Sequence, residues 1–271
     1  MTPEQHSVHI VAASVGFTSL ALLWATVVWG TTLRVGWGIT RVRHQTLYGV
    51  HMTLALVGMT LGLVHGLAQL AVPGGPVRLV DEWLPFADNR DPFGIGLGVL
   101  GTEMLLALLV SVLVQRRLGY HRWRMIHLLA YLAFTMVSAH VLVSGSDTRT
   151  PQVRLLITLG WLSALLVRLG TTARAASVPR RIAERVAARV RGEQVMVNVD
   201  PNRCARFGFC EHEAPEVFQL RGDGRLTYQP SVPAGQAEHV LRAMRVCPAR
   251  AIALSREATT MVMSGERMGT R

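Results

Sequence analysis

Residues 47–70 read LYGVHMTLALVGMTLGLVHGLAQL. The run is apolar or small nearly throughout and is long enough to cross a bilayer as a helix, yet His51 and His65 interrupt it. They stand fourteen residues apart, about 21 Å along a helix with an angular offset of about 40°, so both can point to one side. A second apolar stretch, from Ile126 to Val143, carries His127 and His140. Ionisable side chains inside a membrane are rare and usually functional. Four imidazoles at two depths on two spanning helices therefore constrain the fold and the chemistry together.

Other apolar runs bring the count to five spans, at about His9 to Leu33, Leu47 to Leu70, Ile95 to Gln115, Trp123 to Val143 and Gln152 to Leu169. Half of the 271 residues are hydrophobic. A soluble domain of this length has no need of several separated runs of about 20 apolar residues. The net charge of +11 comes from arginine alone, since the chain has no lysine. Through residue 192 the arginines fall mostly in the segments between runs and in one block, Arg174 to Arg191. That spacing flanks membrane spans rather than forming a nucleic-acid footprint, and no nucleic-acid partner is expected. The amino-terminal MTPEQHSVH lacks a positive n-region, and the apolar run behind it is too long for a cleaved signal, so it reads as a retained first helix.

Charge also orients the bundle. Arg34, Arg41 and Arg43 follow the first span, Arg116, Arg117, Arg122 and Arg124 follow the third, and the basic block follows the fifth. The positive-inside rule places the amino terminus of this multi-pass chain outside and the carboxyl terminus in the cytoplasm, and a bacterial inner membrane is the expected location. His51 and His127 then lie near the cytoplasmic side, and His65 and His140 near the outer side. This points to two stacked bis-histidine haems, an inner one between His51 and His127 and an outer one between His65 and His140. One tension remains: the thirteen-residue step from His127 to His140 is an offset of about 140° on a regular helix. A distortion such as a π-bulge, or a relative rotation of the two porphyrins, is needed.

Weaker signals surround these four. His44 and His121 sit at basic flanks and read as interfacial, while His6 and His9 carry no assigned role. Glu103 lies inside the third span, as a proton-handling group or a snorkelling one. Gly94, Gly96, Gly98 and Gly101 suit close helix packing. Gly58, Gly62 and Gly66 make room either for flat porphyrin faces or for a neighbouring helix. Trp83, Trp123 and Trp161 read as interfacial anchors.

From Gln194 the composition changes. VMVNVD reads as a strand, GDGRLTY as a turn and strand, and AEHVLRAMRVCPARAIAL as a helix ending at a cysteine and a proline. About 65 residues is small for an independent core. All three cysteines, Cys204, Cys210 and Cys247, lie here. They read as a cofactor site rather than a disulfide framework, and a ligated cluster supplies the missing cross-link.

Two resemblances attach to these motifs. His51 and His65 with thirteen residues between them, His127 and His140 with twelve, and the stretch RRLGYHRWRMIHLLAYLAF resemble the ferric reductase-like transmembrane family, which includes ferric reductases and NADPH oxidases, over roughly residues 10–170. The resemblance implies that the histidines ligate two haem b groups in a transmembrane electron wire. The family usually has six spans and often a flavin and nicotinamide module. Here there are five spans, and no G-x-G-x-x-G precedes a strand–helix unit. The second resemblance rests on Cys204, five residues, Cys210, then Cys247-Pro248, with APEVF at Ala214 to Phe218 and CPARAI at Cys247 to Ile252. It is to the single-cluster bacterial ferredoxins that serve actinobacterial cytochromes P450. The usual run is C-x2-C-x2-C with a distant Cys-Pro, and the middle position here is Phe207, which cannot ligate iron. Three thiolates suit a [3Fe–4S] cluster; a [4Fe–4S] cluster with an outside ligand is the alternative. His212 does not occupy the missing position, and a zinc site using it lacks the paired C-x2-C spacing.

The expectation is an all-α bundle of five transmembrane helices at residues 1–172, a basic linker helix at 173–192, a small α+β ferredoxin domain at 193–258 and a tail at 259–271. The linker is expected on the anionic inner leaflet or as a docking face for an acidic redox partner. Electrons from a cytoplasmic donor, a separate NAD(P)H-dependent ferredoxin reductase, would pass through the cluster and the two haems to an acceptor outside. The alternatives are a redox-sensing membrane protein and an anchor presenting a ferredoxin to another enzyme.

Overall fold

The computed structural model describes residues 2–34, 42–72, 77–177 and 195–256. They fall into two compact units, Met1–Val178 and Pro179–Arg271. Most of the expected basic linker and the whole of the tail from residue 259 lie outside the described residues.

The first unit is helical. Its elements are α1 (Pro3–Arg34), α2 (His44–Leu70), the short α3 (Leu79–Trp83), α4 (Pro92–Leu113), α5 (Gln115–His127), α6 (Leu129–Ser144) and α7 (Pro151–Ser177). Five stretches are long and apolar enough to cross a membrane: Pro3–Leu33, His44–Leu70, Pro92–Leu113, Gln115–Ser144 and Pro151–Thr172. The protein is thus a multi-pass membrane protein. Leu67, Leu155, Leu156, Leu159 and Leu166 are exposed on α2 and α7, an arrangement that suits lipid as the solvent.

Helix starts differ from the apolar limits because capping chemistry sets them. α1 begins at Pro3 rather than near His9. Thr2 and Gln5 form a reciprocal cap: the Thr2 N–H donates to Gln5 Oε1 (2.9 Å) and the Gln5 N–H to Thr2 Oγ1 (3.2 Å). Pro3 occupies the first helical position, where its missing N–H costs nothing. α4 likewise begins at Pro92 rather than Ile95, because the Asp91 carboxylate accepts the Gly94 N–H (2.9 Å). The segment before it contains α3. There Arg78 grips Asp81 through its guanidinium (2.7 and 3.0 Å) and its backbone N–H (2.8 Å). Those hydrogen bonds hold the fully buried Asp81 carboxyl below the usual carboxylate range.

Within the bundle α1 packs along α2 and α4 along α6, while α7 lies against α1 and α6. Close approach of α1 and α2 depends on small residues. The Ser19 hydroxyl donates to the Gly58 carbonyl (2.7 Å), and a Cβ at Gly58 or Gly62 would meet Leu22 or Ser19 at 3.2 Å. These two glycines make room for the neighbouring helix. α7 is tied in by Trp24 Nε1 to Ser163 Oγ (2.9 Å) and Trp161 Nε1 to Thr135 Oγ1 (3.0 Å). Trp161 therefore bonds inside the bundle, in contrast to the interfacial anchor expected from the sequence.

The second unit is α+β. Strand β1 (Val195–Val199) is followed by α8 (Phe209–Glu213), β2 (Phe218–Leu220), β3 (Leu226–Tyr228), β4 (Ser231–Val232), α9 (Ala237–Val246) and β5 (Ile252–Arg256). One antiparallel sheet has the order β4-β1-β5, with Val197 opposite Leu254; β2 and β3 form a separate hairpin. α9 buries Ala237, Val240, Leu241, Ala243 and Val246, a helical stripe. Val197, Phe218, Val232 and Val240 form the core, and the three cysteines pack at its margin.

Candidate functional site

The four histidines of the spans come together as two pairs. The rings of His51 and His127 have centroids 6.3 Å apart and planes at 64°; those of His65 and His140 are 6.4 Å apart at 71°. Imidazole nitrogen binds a first-row metal at about 2 Å. Two such bonds and the two ring radii put the centroids about 6 Å apart, so each gap has the width one metal needs. Among the described residues no group of three or more His, Cys, Asp or Glu side chains converges on a metal ion. Two opposed imidazoles without a third protein ligand suit a metal that brings its own equatorial ligands, as a porphyrin iron does.

Backbone and glycines set the rings. His65 Nδ1 lies 2.8 Å from the Ala12 carbonyl and His140 Nδ1 lies 2.8 Å from the Gly94 carbonyl. A carbonyl only accepts, so each Nδ1 carries the proton and each Nε2 keeps the ring's lone pair. A Cβ on Gly16 would stand 2.8 Å from His65 Nδ1, one on Gly30 2.7 Å from His51 Cε1, and one on Gly98 2.8 Å from His140 Nδ1. Gly16 and Gly30 are fourteen residues apart on α1, the spacing of His51 and His65 on α2. Since the helices run antiparallel, each imidazole of α2 meets one missing side chain of α1. The carbonyl acceptors leave no mark in the sequence. The roles of Gly16 and Gly30 leave one, the matched spacing of fourteen, and it gains meaning only from the pairing of α1 with α2.

The 51/127 pair is dressed differently. His127 stacks on Trp123, with ring centroids 4.8 Å apart and planes at 22°. Its Nδ1 is buried without a hydrogen-bond partner among the described residues. The offset expected between His127 and His140 is partly absorbed at Leu128, which separates α5 from α6. There the Tyr131 N–H bonds the Leu128 carbonyl three residues back (3.2 Å), a 3₁₀-type turn that alters register. Of the other histidines, His121 lies against Tyr120 and His9 lies 3.7 Å from Asp147.

A second site lies in the α+β unit. Cys204 follows β1 in a turn closed by its own N–H on the Asp200 carbonyl (3.0 Å). Cys210 lies in α8, and Cys247 ends α9. All three line one cavity together with Arg206, Phe207 and Pro248. The Ala251 N–H donates to Cys247 Sγ (3.4 Å), and the Arg206 N–H faces the Cys204 sulfur. Burial pushes the Cys204 thiol up, and it pushes Cys210 up to about 12, with the neighbouring sulfurs adding to the effect. Bare thiolates are thus disfavoured, and cationic iron is the compensating charge. Each iron of a cluster takes its own thiolate, so cysteines surround such a group rather than converge on a point. Phe207 lines the cavity and stacks on Phe209 (6.0 Å). His212 is exposed and is not among the lining residues.

Comparison with known proteins agrees with both halves. Residues 15–138 match the family described as ferric reductase like transmembrane component, a range holding His51, His65 and His127 and ending two residues before His140. Residues 197–254, which hold all three cysteines, match the 4Fe-4S single cluster domain. "Ferredoxin soy" of Streptomyces griseus is 39% identical over 61 residues, covering 22% of this chain and 94% of that protein. No solved structure matches the chain.

Proposed function

Because this chain belongs to the single-cluster ferredoxins through its second unit and joins that unit to a ferric reductase-like transmembrane component, we propose that it carries electrons across a membrane, one at a time. Haem b groups at the two histidine pairs and an iron–sulfur cluster at the cysteines supply one-electron chemistry when bound. His51 and His127 hold the inner haem, His65 and His140 the outer one, and Cys204, Cys210 and Cys247 the cluster. The observation that carries this reading is the near-equal separation of the two ring pairs, 6.3 and 6.4 Å.

Each residue type has a defined task. His51 with His127, and His65 with His140, would hold each group from two sides, and a bound haem would supply outer-sphere one-electron chemistry there. The Ala12 and Gly94 carbonyls keep His65 and His140 in the ligating tautomer. The apolar span surfaces insulate the path. The thiolates hold a [3Fe–4S] cluster, because Phe207 stands at the fourth position and the other cavity-lining residues include no Cys, His, Asp or Glu. Arginine placement supports an amino terminus outside and a ferredoxin unit in the cytoplasm, and the membrane in this reading is a bacterial inner membrane. There a separate NAD(P)H-dependent ferredoxin reductase serves as donor, and the acceptor lies on the outer side.

Optical and EPR redox titration of the purified protein tests this. The expected result is about two low-spin b haems per chain and a three-iron signal in the oxidised state. Proteoliposomes should then pass electrons from a donor on the ferredoxin side to an acceptor on the other. A protein with a cluster and no haem would instead be a ferredoxin anchor.

A further inference from the structure

Three non-glycine residues among those described have positive φ: Phe86, Arg206 (59°) and Arg250 (50°). The two arginines belong to the cysteine loops. Arg206 lies between Cys204 and Cys210 and lines their cavity, and Arg250 follows Cys247 by three residues, its N–H on the Cys247 carbonyl (3.1 Å). The left-handed region favours glycine or asparagine over a long side chain. At Arg206 the conformation serves the sulfur, since it turns the backbone N–H toward Cys204. A glycine would do that with less strain, so the guanidinium needs another reason.

The surrounding charges supply one. Arg203 pairs with Asp200 (3.6 Å), Arg225 with Asp223 (3.7 Å) and Arg242 with Glu213 (3.5 Å). Glu211 accepts the Leu220 N–H, and Glu216 accepts from Gln236. The acids of the unit are thus largely engaged. Arg206 and Arg250 are exposed and have no ion pair among the described residues. The Arg206 guanidinium reaches over the β2–β3 turn, where a Cβ on Gly224 would lie 3.6 Å from Nη1. Arg221 and Arg245 are exposed and without an ion pair among the described residues as well, but of these four Arg206 lines the cavity and Arg250 stands between Ala249 and Ala251, which line it, so unneutralised positive charge stands on the cysteine loops themselves.

We infer that Arg206 and Arg250 form a cationic docking rim over the cluster cavity for an acidic electron-donor protein, whose carboxylates seat its redox centre against the cysteine loops. The inference rests on the proposed role of the cluster as the electron intake. In the transfer the donor loses one electron and the cluster gains it, with no bond made or broken. Rim charges of this kind act on encounter rate and orientation more than on affinity.

The test uses the full-length, cofactor-loaded protein in nanodiscs of neutral lipid, with a photoreduced acidic flavodoxin as donor and cluster reduction followed by stopped flow. Reduction should slow steeply with salt. R206Q/R250Q should lower the low-salt rate about tenfold and flatten the salt dependence, R206K/R250K should retain both, and R206E/R250E should be slower still. EPR and iron content confirm the cluster in every variant, and the methyl viologen radical cation should reduce the Gln variant at least as fast as wild type. A wild-type rate in R206Q/R250Q, or a salt-independent wild type, overturns the rim. So does a rate that collapses in anionic-lipid nanodiscs, which would mean that lipid covers it. A cluster that is reduced but does not pass its electron on to haem would count against the conduit and leave the rim result standing.

Discussion

Gly30 of α1 lies against His51 of α2, so close that a Cβ on the glycine would stand 2.7 Å from the imidazole Cε1. Fourteen residues earlier, Gly16 does the same for His65. α1 offers no ligand to either pair, yet it is the wall against which both α2 rings are set. Gly30→Ala should therefore displace His51, and Gly16→Ala should displace His65. Each substitution costs about 1–3 kcal/mol of overpacking. The expected readout is loss of about half the haem per chain, with the remaining signal assigned to the untouched pair by its potential.

A short relay fixes His140. Ser144 donates to Asp91 Oδ2 (2.6 Å), Asp91 Oδ1 accepts the Gly94 N–H (2.9 Å), and the Gly94 carbonyl accepts from His140 Nδ1 (2.8 Å). Ser144→Ala and Asp91→Asn loosen that carbonyl and weaken the push on the imidazole. The midpoint potential of the 65/140 haem should rise while that of the 51/127 haem stays put. Stability should fall by about 1–2 kcal/mol, the worth of one or two hydrogen bonds. Redox titration at two wavelengths checks the first outcome and thermal melting the second.

Ring orientation predicts a spectrum. The planes of each pair cross at 64° and 71°, and near-perpendicular axial imidazoles give a strongly anisotropic low-spin ferric signal. Both haems should show it at low temperature. Trp123→Leu removes the stack that holds His127 and should change one of the two signals only.

Phe207 stands where a fourth thiolate would complete the cavity. Phe207→Cys should convert a three-iron cluster to a four-iron one. The EPR signal would move from the oxidised to the reduced sample, and iron would rise from about three to about four per chain.

The cysteine environment also sets a pH dependence for the cluster-free protein. The Cys210 thiol is pushed up from 9.0 to about 12 in the folded state, chiefly by burial. Folding thus favours the protonated thiol. Its contribution is complete below about pH 9 and is lost as pH rises toward 12, to a total of about 4 kcal/mol. Denaturant midpoints of cluster-free protein should fall between pH 9 and 11. Cluster-loaded protein, whose sulfurs are already thiolates, should not show that fall.

Much of the fold and of both sites is legible in the sequence. The number of spans, the spacing of His51, His65, His127 and His140, and the substitution of Phe207 in the cysteine run can be counted along the chain. Hydropathy misplaces the helix starts, because hydrogen bonding of the first turn sets them; T-P-E-Q at Thr2 and D-P-F-G at Asp91 spell out those caps. The offset between His127 and His140 shows in the spacing as a difficulty, but the break at Leu128 that eases it does not.

The chain alone determined separation along each helix, because each helical residue advances by a constant 1.5 Å. It also determined which side-chain chemistry is on offer, since imidazole and thiol are properties of single residues. Tertiary structure decided rotation and surroundings: which carbonyl meets which Nδ1, that Gly16 and Gly30 back the rings of another helix, and that Arg206 turns its N–H to a sulfur. Those are relations set by how segments pack against one another, and they exist only once the chain has folded.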